Sequence, residues 1–449
     1  VNFAGQVFLD ALISAAVAFV VSVFGWVLGG QNRRSTLATV LLVAPLLTPP
    51  LLISYAGAPL ALPLVGSSWL LVFHAVLLVL KLAPLAILAH DFFPPPVSAE
   101  AIYCARLLPP QRTFDRVRFF FHQLGPTPWT IFGLIFLLAF TDFELASLLS
   151  LKRWTVMLFD AHTGGLAPGE SLRRMALPGG IDLAVLGVLA WLFTRHRGLP
   201  PGPGIDRRKP LWPVVILAAL IPGLPIGRIF WLAVPGFSSL GRQPVLAVDL
   251  LTSLGLATAA AGTAWLLTRR PQQPWAKVLW SLPGLLGGLV LSLTLVALLQ
   301  WPLAQFGPDI GWGAVRFVRD SPLPLIFAEA LLLVPIALLL RSLLAAQRSP
   351  EALHLARMAG SRRLLWDLAV QPRAAALALL FILAFSELTA ATILAPVGFT
   401  PAFARLHNLA HYGQTAVLSA MLLAAIAAPG VLLALTLGGA RLYARRDAR

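Results

Sequence analysis

Cysteine is almost absent. One residue of 449, Cys104, is a cysteine, so no disulfide can form within the chain and no cysteine-based zinc or iron–sulfur site can be built. Charge is scarce too: Asp, Glu, Lys and Arg make up 12% of the residues, against 58% hydrophobic. A soluble domain carries about twice that charged fraction. Too few polar side chains remain to cover a soluble surface, so lipid must cover much of it. Acidic residues are the scarcer sign, 18 against 34 basic. A net charge of +16 raises nucleic acid as a partner, but Lys and Arg sit in short stretches between apolar segments, as the positive-inside rule predicts. No basic groove with interleaved aromatics is present, which argues against nucleic acid. The segment Gly164–Ser171, GGLAPGES, has the glycine spacing of a phosphate loop with Glu170 where a lysine is obligatory. A carboxylate there repels a triphosphate, so the chain has no credible nucleotide site and no cofactor is expected in it.

Apolar sequence is plentiful. Runs of about 20 residues, the length that crosses a bilayer, fall at 7–29, 38–58, 68–90, 128–149, 176–194, 211–232, 249–268, 279–300, 322–345, 374–396 and 415–438. The expectation is an all-α integral membrane protein of about eleven transmembrane helices, several containing Pro or Gly, as at Pro49-Pro50 and Pro283-Gly284. Such residues are tolerated where neighbours re-satisfy the backbone. The first run is followed by Gln31-Asn32-Arg33-Arg34 and reads as a span rather than a cleaved signal. Arg33-Arg34, the stretches 105–118 and 195–209, Arg269-Arg270, the stretch 357–373 and the tail 441–449 are expected on the cytoplasmic side, with the C-terminus. Lys152, Arg153, Arg173 and Arg174 then fall on the outer side, against the rule.

The basic Pro/Gly-rich linker 195–210 divides the chain into a first half, 1–194, of five spans and a second, 211–449, of six. Three stretches recur in order in the two halves. Asp10-Ala-Leu-Ile-Ser14 matches Asp249-Leu-Leu-Thr-Ser253. Glu100-Ala101 with Ala105-Arg106 matches Glu351-Ala352 with Ala356-Arg357. Leu138-Ala139-Phe140-Thr141 matches Leu383-Ala384-Phe385-Ser386. The offsets, 239, 251 and 245, need only small insertions. Both Glu-Ala stretches fall on the cytoplasmic side, so the expected repeats are parallel, with a pathway along their shared axis. The first half has no counterpart of the leading span 211–232 and is expected to lack its leading helix.

The loop 346–373 contains SPEALHLARMAGSRRLLWDLAVQPR: a short helix, a glycine break, a basic amphipathic stretch and a proline before the next span. Gly360 permits a sharp turn, and Ala352, Ala356 and Ala359 let a partner surface come close. An amphipathic helix lying on lipid is the alternative. This loop resembles the cytoplasmic coupling segment of binding-protein-dependent ABC importer permeases. The loop 93–126, with SAEAIYCARLLPPQRTFDRVRFFFHQLGP, resembles a degenerate copy. FSELTAATILAPVGF at 385–399 is similar to the segment after that loop in fused permeases of ferric-iron and thiamine uptake. The sequence departs from the family pattern at His354, at Pro372, and at Tyr103 and Pro109 of the first loop.

The resemblance implies a bacterial inner-membrane protein that is not itself an enzyme. It implies two ATP-binding-cassette subunits docking on Glu100, Ala101, Ala105, Arg106, Glu351, Ala352, Ala356, Arg357, Gly360 and Pro372. It also implies an extracytoplasmic solute-binding protein and a small cargo, ferric iron first. An ion-gradient-driven carrier using intramembrane carboxylates is the competing expectation.

Ionisable residues within spans are costly and point to function. Asp142 with Glu144, and Glu387 with Ser386 and Thr389, follow the repeated Ala-Phe-Thr/Ser and are candidates to line a cation pathway. Helix-to-helix pairing is the alternative. Glu329 is a further intramembrane acid. Lys81, Asp182 and Arg228 are expected near span ends, where side chains snorkel. His407 and His411 share a helical face in HNLAH, but no third ligand completes a metal set there, and none is expected elsewhere in the chain. Gly25-x-x-x-Gly29 and Gly284-x-x-x-Gly288 read as close helix-packing motifs.

Overall fold

A computed structural model describes residues 2–29, 36–92, 127–195, 212–241, 244–269, 273–306, 313–347, 350–413 and 415–446. Among them the chain is all-helical, with no strand. Nine helices are long and apolar enough to cross a membrane, and two further pairs meet the same measure together. This is a multi-pass membrane protein, and the eleven apolar runs of the sequence each fall on one of these elements.

The chain forms two compact units, 1–166 with 173–228 and 167–172 with 229–449. The first contains α1 (Phe3–Leu28), α2 (Thr36–Leu47), α3 (Pro50–Ala61), α4 (Trp69–Phe92), α5 (Thr127–Phe140), α6 (Glu144–Leu148), α7 (Trp154–Thr163) and most of α8 (Pro168–Arg195). It also takes α9 (Trp212–Ala218), which packs on α2 and α4 through Val214 and Leu217. Residues 212–228 thus follow the linker in sequence but belong to the first unit by packing. The helix continues through a wide turn, Ala219–Gly223, into α10 (Leu224–Ala233).

α1 lies along α4 and α5. Glycine permits that approach: a methyl group on Gly25 would stand 2.8 Å from Ala86 Cβ, and one on Gly29 2.6 Å from His90 Cβ. The Gly-x-x-x-Gly motif therefore does here what its spacing predicts. α2 and α3 form an apolar pair bent by 75° at a short break. Pro49 and Pro50 supply the break, since proline cannot donate the helical N–H and pushes the residue before it out of the helical region.

The second unit contains α11 (Pro244–Leu267), α12 (Pro274–Leu285), α13 (Gly288–Phe306), α14 (Gly313–Arg319), α15 (Leu323–Gln347), α16 (Pro350–Met358), α17 (Arg362–Leu365), α18 (Gln371–Phe385), α19 (Thr389–Leu394), α20 (Ala402–Ala410) and α21 (Ala416–Arg446). α11 lies along α15 and α18, α12 packs on α15, and α13 packs on α15 and α19. α12 and α13 are bent by 94°, with Gly287 at φ +84° between them, a conformation that favours glycine. Gly284 meets Pro335 of α15, and Gly288 meets Thr389 of α19.

The apolar runs 128–149 and 374–396 are each interrupted in the structure. The first breaks between Phe140 and Glu144, the second between Phe385 and Thr389. A broken helix inside a membrane leaves backbone groups that need partners. At the ends of the interrupted helices side-chain hydroxyls supply some of them: Thr141 donates to Leu137 O at 2.8 Å, and Ser386 to Ile382 O at 3.1 Å.

Candidate functional site

In the first unit the break after α5 is closed from several sides. Arg153 Nη1 donates to Ala139 O at 3.1 Å, the Trp154 indole N–H to Phe140 O at 3.0 Å, and Thr155 Oγ1 to Asp142 O at 2.9 Å. The Asp142 carboxylate lies 3.0 Å from Nε2 of His74 on α4. His74 is fully buried and Asp142 nearly so. Asp142 thus joins α4 to the break through His74. Glu144 begins α6 and is buried.

The second unit uses different side chains at its break. Glu387 Oε1 accepts from Ala390 N–H at 3.1 Å and so caps α19. A methyl group on Gly288 would stand 3.0 Å from the same Oε1, so α13 also begins against this carboxylate. Thr389 is buried, and Ser386 is half-buried. On α15, Glu329 is 3% exposed, its charge acts against that of Glu387, and its Oε2 has no hydrogen-bond partner among the described residues.

The recurrent Asp-x-x-x-Ser stretches have matching tasks. In the first unit Asp10 is ion-paired with Arg153 at 3.2 Å and accepts from Trp154 N–H at 2.7 Å and from Gln6 Nε2 at 3.1 Å. Ser14 Oγ accepts from Arg153 Nη2 at 3.2 Å. In the second, Asp249 pairs with Arg405, and Ser253 Oγ accepts from Ala402 N–H at 2.7 Å. Each aspartate and serine thus anchors the short helix that follows the break, α7 or α20. Arg153, which falls on the outer side against the positive-inside rule, is 1% exposed and internally paired. It acts as a structural charge and not as a topology signal. The sequence offered Asp10 and Asp249 as repeat markers only. Their partners lie more than a hundred residues away, which no local spacing reveals.

Lys81, Asp182 and Arg228 do not lie at span ends. Lys81 sits midway along α4 and Asp182 midway along α8. Asp182 is fully buried, and neither of its oxygens has a partner among the described residues. Arg228, within α10, donates to Ala56 O at 3.0 Å. For Asp182 the sequence boundary misled because α8 starts at Pro168, through Arg173 and Arg174, well before residue 176.

Outside the spans, α16 carries the residues of the second loop. Ser361 N–H donates to Ala356 O at 3.2 Å and Gly360 N–H to Arg357 O at 3.1 Å, with Gly360 at φ +61°. This is the glycine-terminated helix end whose paired bonds satisfy the last carbonyls. Ala356 is buried, while Glu351, His354, Leu355, Arg357 and Met358 face outward. Leu355 and Met358 are 66% and 76% exposed. Ala352 is half-buried, and Pro372 stands at the start of α18. Glu100, Ala101, Ala105 and Arg106, with the rest of loop 93–126, lie outside the described residues, as does most of the linker 195–210.

The two histidines of HNLAH meet edge to face, with ring centroids 4.8 Å apart. Burial, helped by the neighbouring His411, pushes the His407 imidazole down to about 4. Among the described residues no group of three or more His, Cys, Asp or Glu side chains comes together. The phosphate-loop-like glycines end a helix instead. Gly165, at φ +94°, closes α7, with Leu166 N–H donating to Ala161 O at 3.0 Å. Helix and not strand precedes them, unlike a phosphate loop.

Compared with protein-family models, with curated proteins and with solved structures, the chain finds no match.

Proposed function

We propose that this chain is the membrane-spanning permease of an ABC importer, with ATP hydrolysed on partner subunits. The observation that carries this reading is α16 with its Gly360 turn. It is a short helix held outside the spans, between Leu323–Ala345 and Trp366–Phe385. Its outward face presents Leu355 and Met358 flanked by Glu351, His354 and Arg357. Exposed apolar side chains ringed by charge are what a docked partner would cover. The glycine closure fixes that helix against the chain that enters α18, so force on it would reach a span directly.

The two units are read as parallel repeats. Their matching Asp-x-x-x-Ser contacts, interrupted spans and bent pairs support the duplication. On this reading two ATP-binding-cassette subunits dock on the loops 93–126 and 346–373, a solute-binding protein delivers cargo, and the C-terminus is cytoplasmic at a bacterial inner membrane. The intramembrane carboxylates favour a small cationic cargo, ferric iron first.

The test is purification of the tagged chain from its native membrane in mild detergent, with mass spectrometry of what accompanies it. A stoichiometric ATPase subunit, lost when Leu355 and Met358 are both changed to Asp, is expected. A chain that purifies alone would refute the reading and favour a carrier driven by an ion gradient.

A further inference from the structure

The two interrupted spans satisfy their buried polar groups differently. In the first unit the acid after the break, Asp142, has His74 at 3.0 Å. Ser54, near the start of α3, donates its hydroxyl to Pro50 O at 2.9 Å. Both groups are closed within the protein. In the second unit the corresponding acid, Glu387, accepts from Ala390 N–H, and α15, which packs on α13 and α19, brings a second acid, Glu329, whose charge acts against it. Ser292, near the start of α13, is fully buried, and its Oγ has no hydrogen-bond partner among the described residues. Glu329 Oε2 is in the same position. Ser292 lies one helical turn beyond Gly288, which touches Glu387 and Thr389, and so shares that face of α13.

The surroundings offer little positive charge. α15 packs against α11, α12, α13, α14, α18 and α19. The described parts of α13 and α19 contain no ionisable residue. Asp249 of α11 is taken by Arg405. Arg341 of α15 itself is bonded to Thr268 and to Trp265 O. Lys277 of α12 and Arg373 of α18 stand near the starts of their helices, Arg316 and Arg319 of α14 act on Asp320 just beyond it, and the charge that bears on Glu329 is that of Glu387.

A buried carboxylate oxygen without a donor, as at Glu329 Oε2 among the described residues, is expensive, and a second carboxylate acting on it makes it more so. Two carboxylates with hydroxyl oxygens, and no sulfur or imidazole, are the donor type that hard cations take. We propose that Glu329, Glu387 and Ser292 form an oxygen-donor site for a hard metal cation in the second unit, where α13, α15 and α19 meet. The cation supplies in this unit the countercharge that His74 supplies in the first. The site deepens the permease reading, because it assigns the cationic cargo to the second unit's broken span. It also stands without that reading, because a cation can bind whether or not an ATPase docks.

The experiment uses the purified full chain in detergent and follows thermal unfolding with sodium, calcium or lanthanum chloride. Choline chloride at equal ionic strength is the control. A saturable rise in unfolding temperature with at least one metal ion over choline is expected. The half-saturating concentration should rise by about tenfold or more in Glu329→Gln and in Ser292→Ala. Ser292→Ala removes only a hydroxyl, which keeps the test open if Glu329→Gln fails to fold. No response beyond choline, a response equal in wild type and both variants, or a response to pH alone would each overturn the site. None of these depends on whether an ATPase co-purifies.

Discussion

The pair Asp10–Arg153 allows a quantitative test of what holds the first unit together. Both side chains are at most 1% exposed. Asp10→Ala would strand a guanidinium among Ala139 O and Ser14 and would take the acceptor from Trp154 N–H. Breaking a buried pair from one side costs about 3–5 kcal/mol. The second unit provides the control, because Arg405 is 36% exposed and can turn to water. Asp249→Ala should therefore cost less, about 1–2 kcal/mol after solvent screening. At roughly 2–4 °C per kcal/mol for a unit of this size, Asp10→Ala should lower the unfolding temperature by about 6–20 °C and Asp249→Ala by about 2–8 °C, with the first the larger in a side-by-side measurement. Thermal unfolding in detergent at constant protein concentration reads both. Adding Arg153→Leu to an Asp10→Leu background should recover much of the loss, because replacing both partners of a buried pair by apolar groups is close to neutral. Equal losses in the two units, or additive losses in the double variant, would refute the reasoning.

Three further outcomes follow from the same geometry. Gly25→Val would drive its side chain into Ala86 and should separate α1 from α4 at a cost of about 1–3 kcal/mol, read as lower expression and unfolding temperature, whereas Gly5→Val, with open space around it, should change neither. Gly360→Val places a branched side chain at φ +61°, a strain of about 1–3 kcal/mol; the chain should still fold, but ATPase co-purification should fall, and unchanged co-purification counts against the docking helix. His407, held near 4 against an ordinary 6.5, stays neutral while an unfolded chain takes up a proton, so its contribution is complete above about pH 6.5 and is lost as pH falls toward 4. That loss of about 3 kcal/mol should flatten in His407→Gln when unfolding temperature is followed against pH.

The spans were legible because lipid imposes one requirement, length and apolarity, which composition alone meets. The interruptions were not. Thr141 and Ser386–Leu388 lie within runs that stay apolar on average, and a break leaves no hydropathy signature when hydroxyls satisfy the freed carbonyls. Proline and glycine did mark the two bent spans, at Pro49-Pro50 and after Pro283-Gly284. The acids at the breaks could be picked out because charge inside a span is rare. Their partners could not, since His74 lies 68 residues from Asp142 and nothing local ties Glu329 to Glu387. Arg153 shows the same limit from the other side. Its charge looked like a topology error in sequence and is neutralised by Asp10 in the fold.

Two interrupted spans with unequal polar residues bear on how the two units divide their work. If both broken spans were needed only as bundle joints, each would do best with its groups closed internally, as His74–Asp142 and Ser54–Pro50 O close the first. Leaving Glu329 Oε2 and Ser292 Oγ without partners among the described residues in the second costs stability that a single apolar substitution would restore. Their presence in a buried span is accounted for by the proposed cation site, which gives both atoms a partner. With the proposed site, the first unit's break has joint duty and the second's has ligand duty. Replacing Glu329 by Leu separates the two explanations. A stabilised chain with its metal response abolished fits ligand duty, and a destabilised chain with that response intact fits a joint.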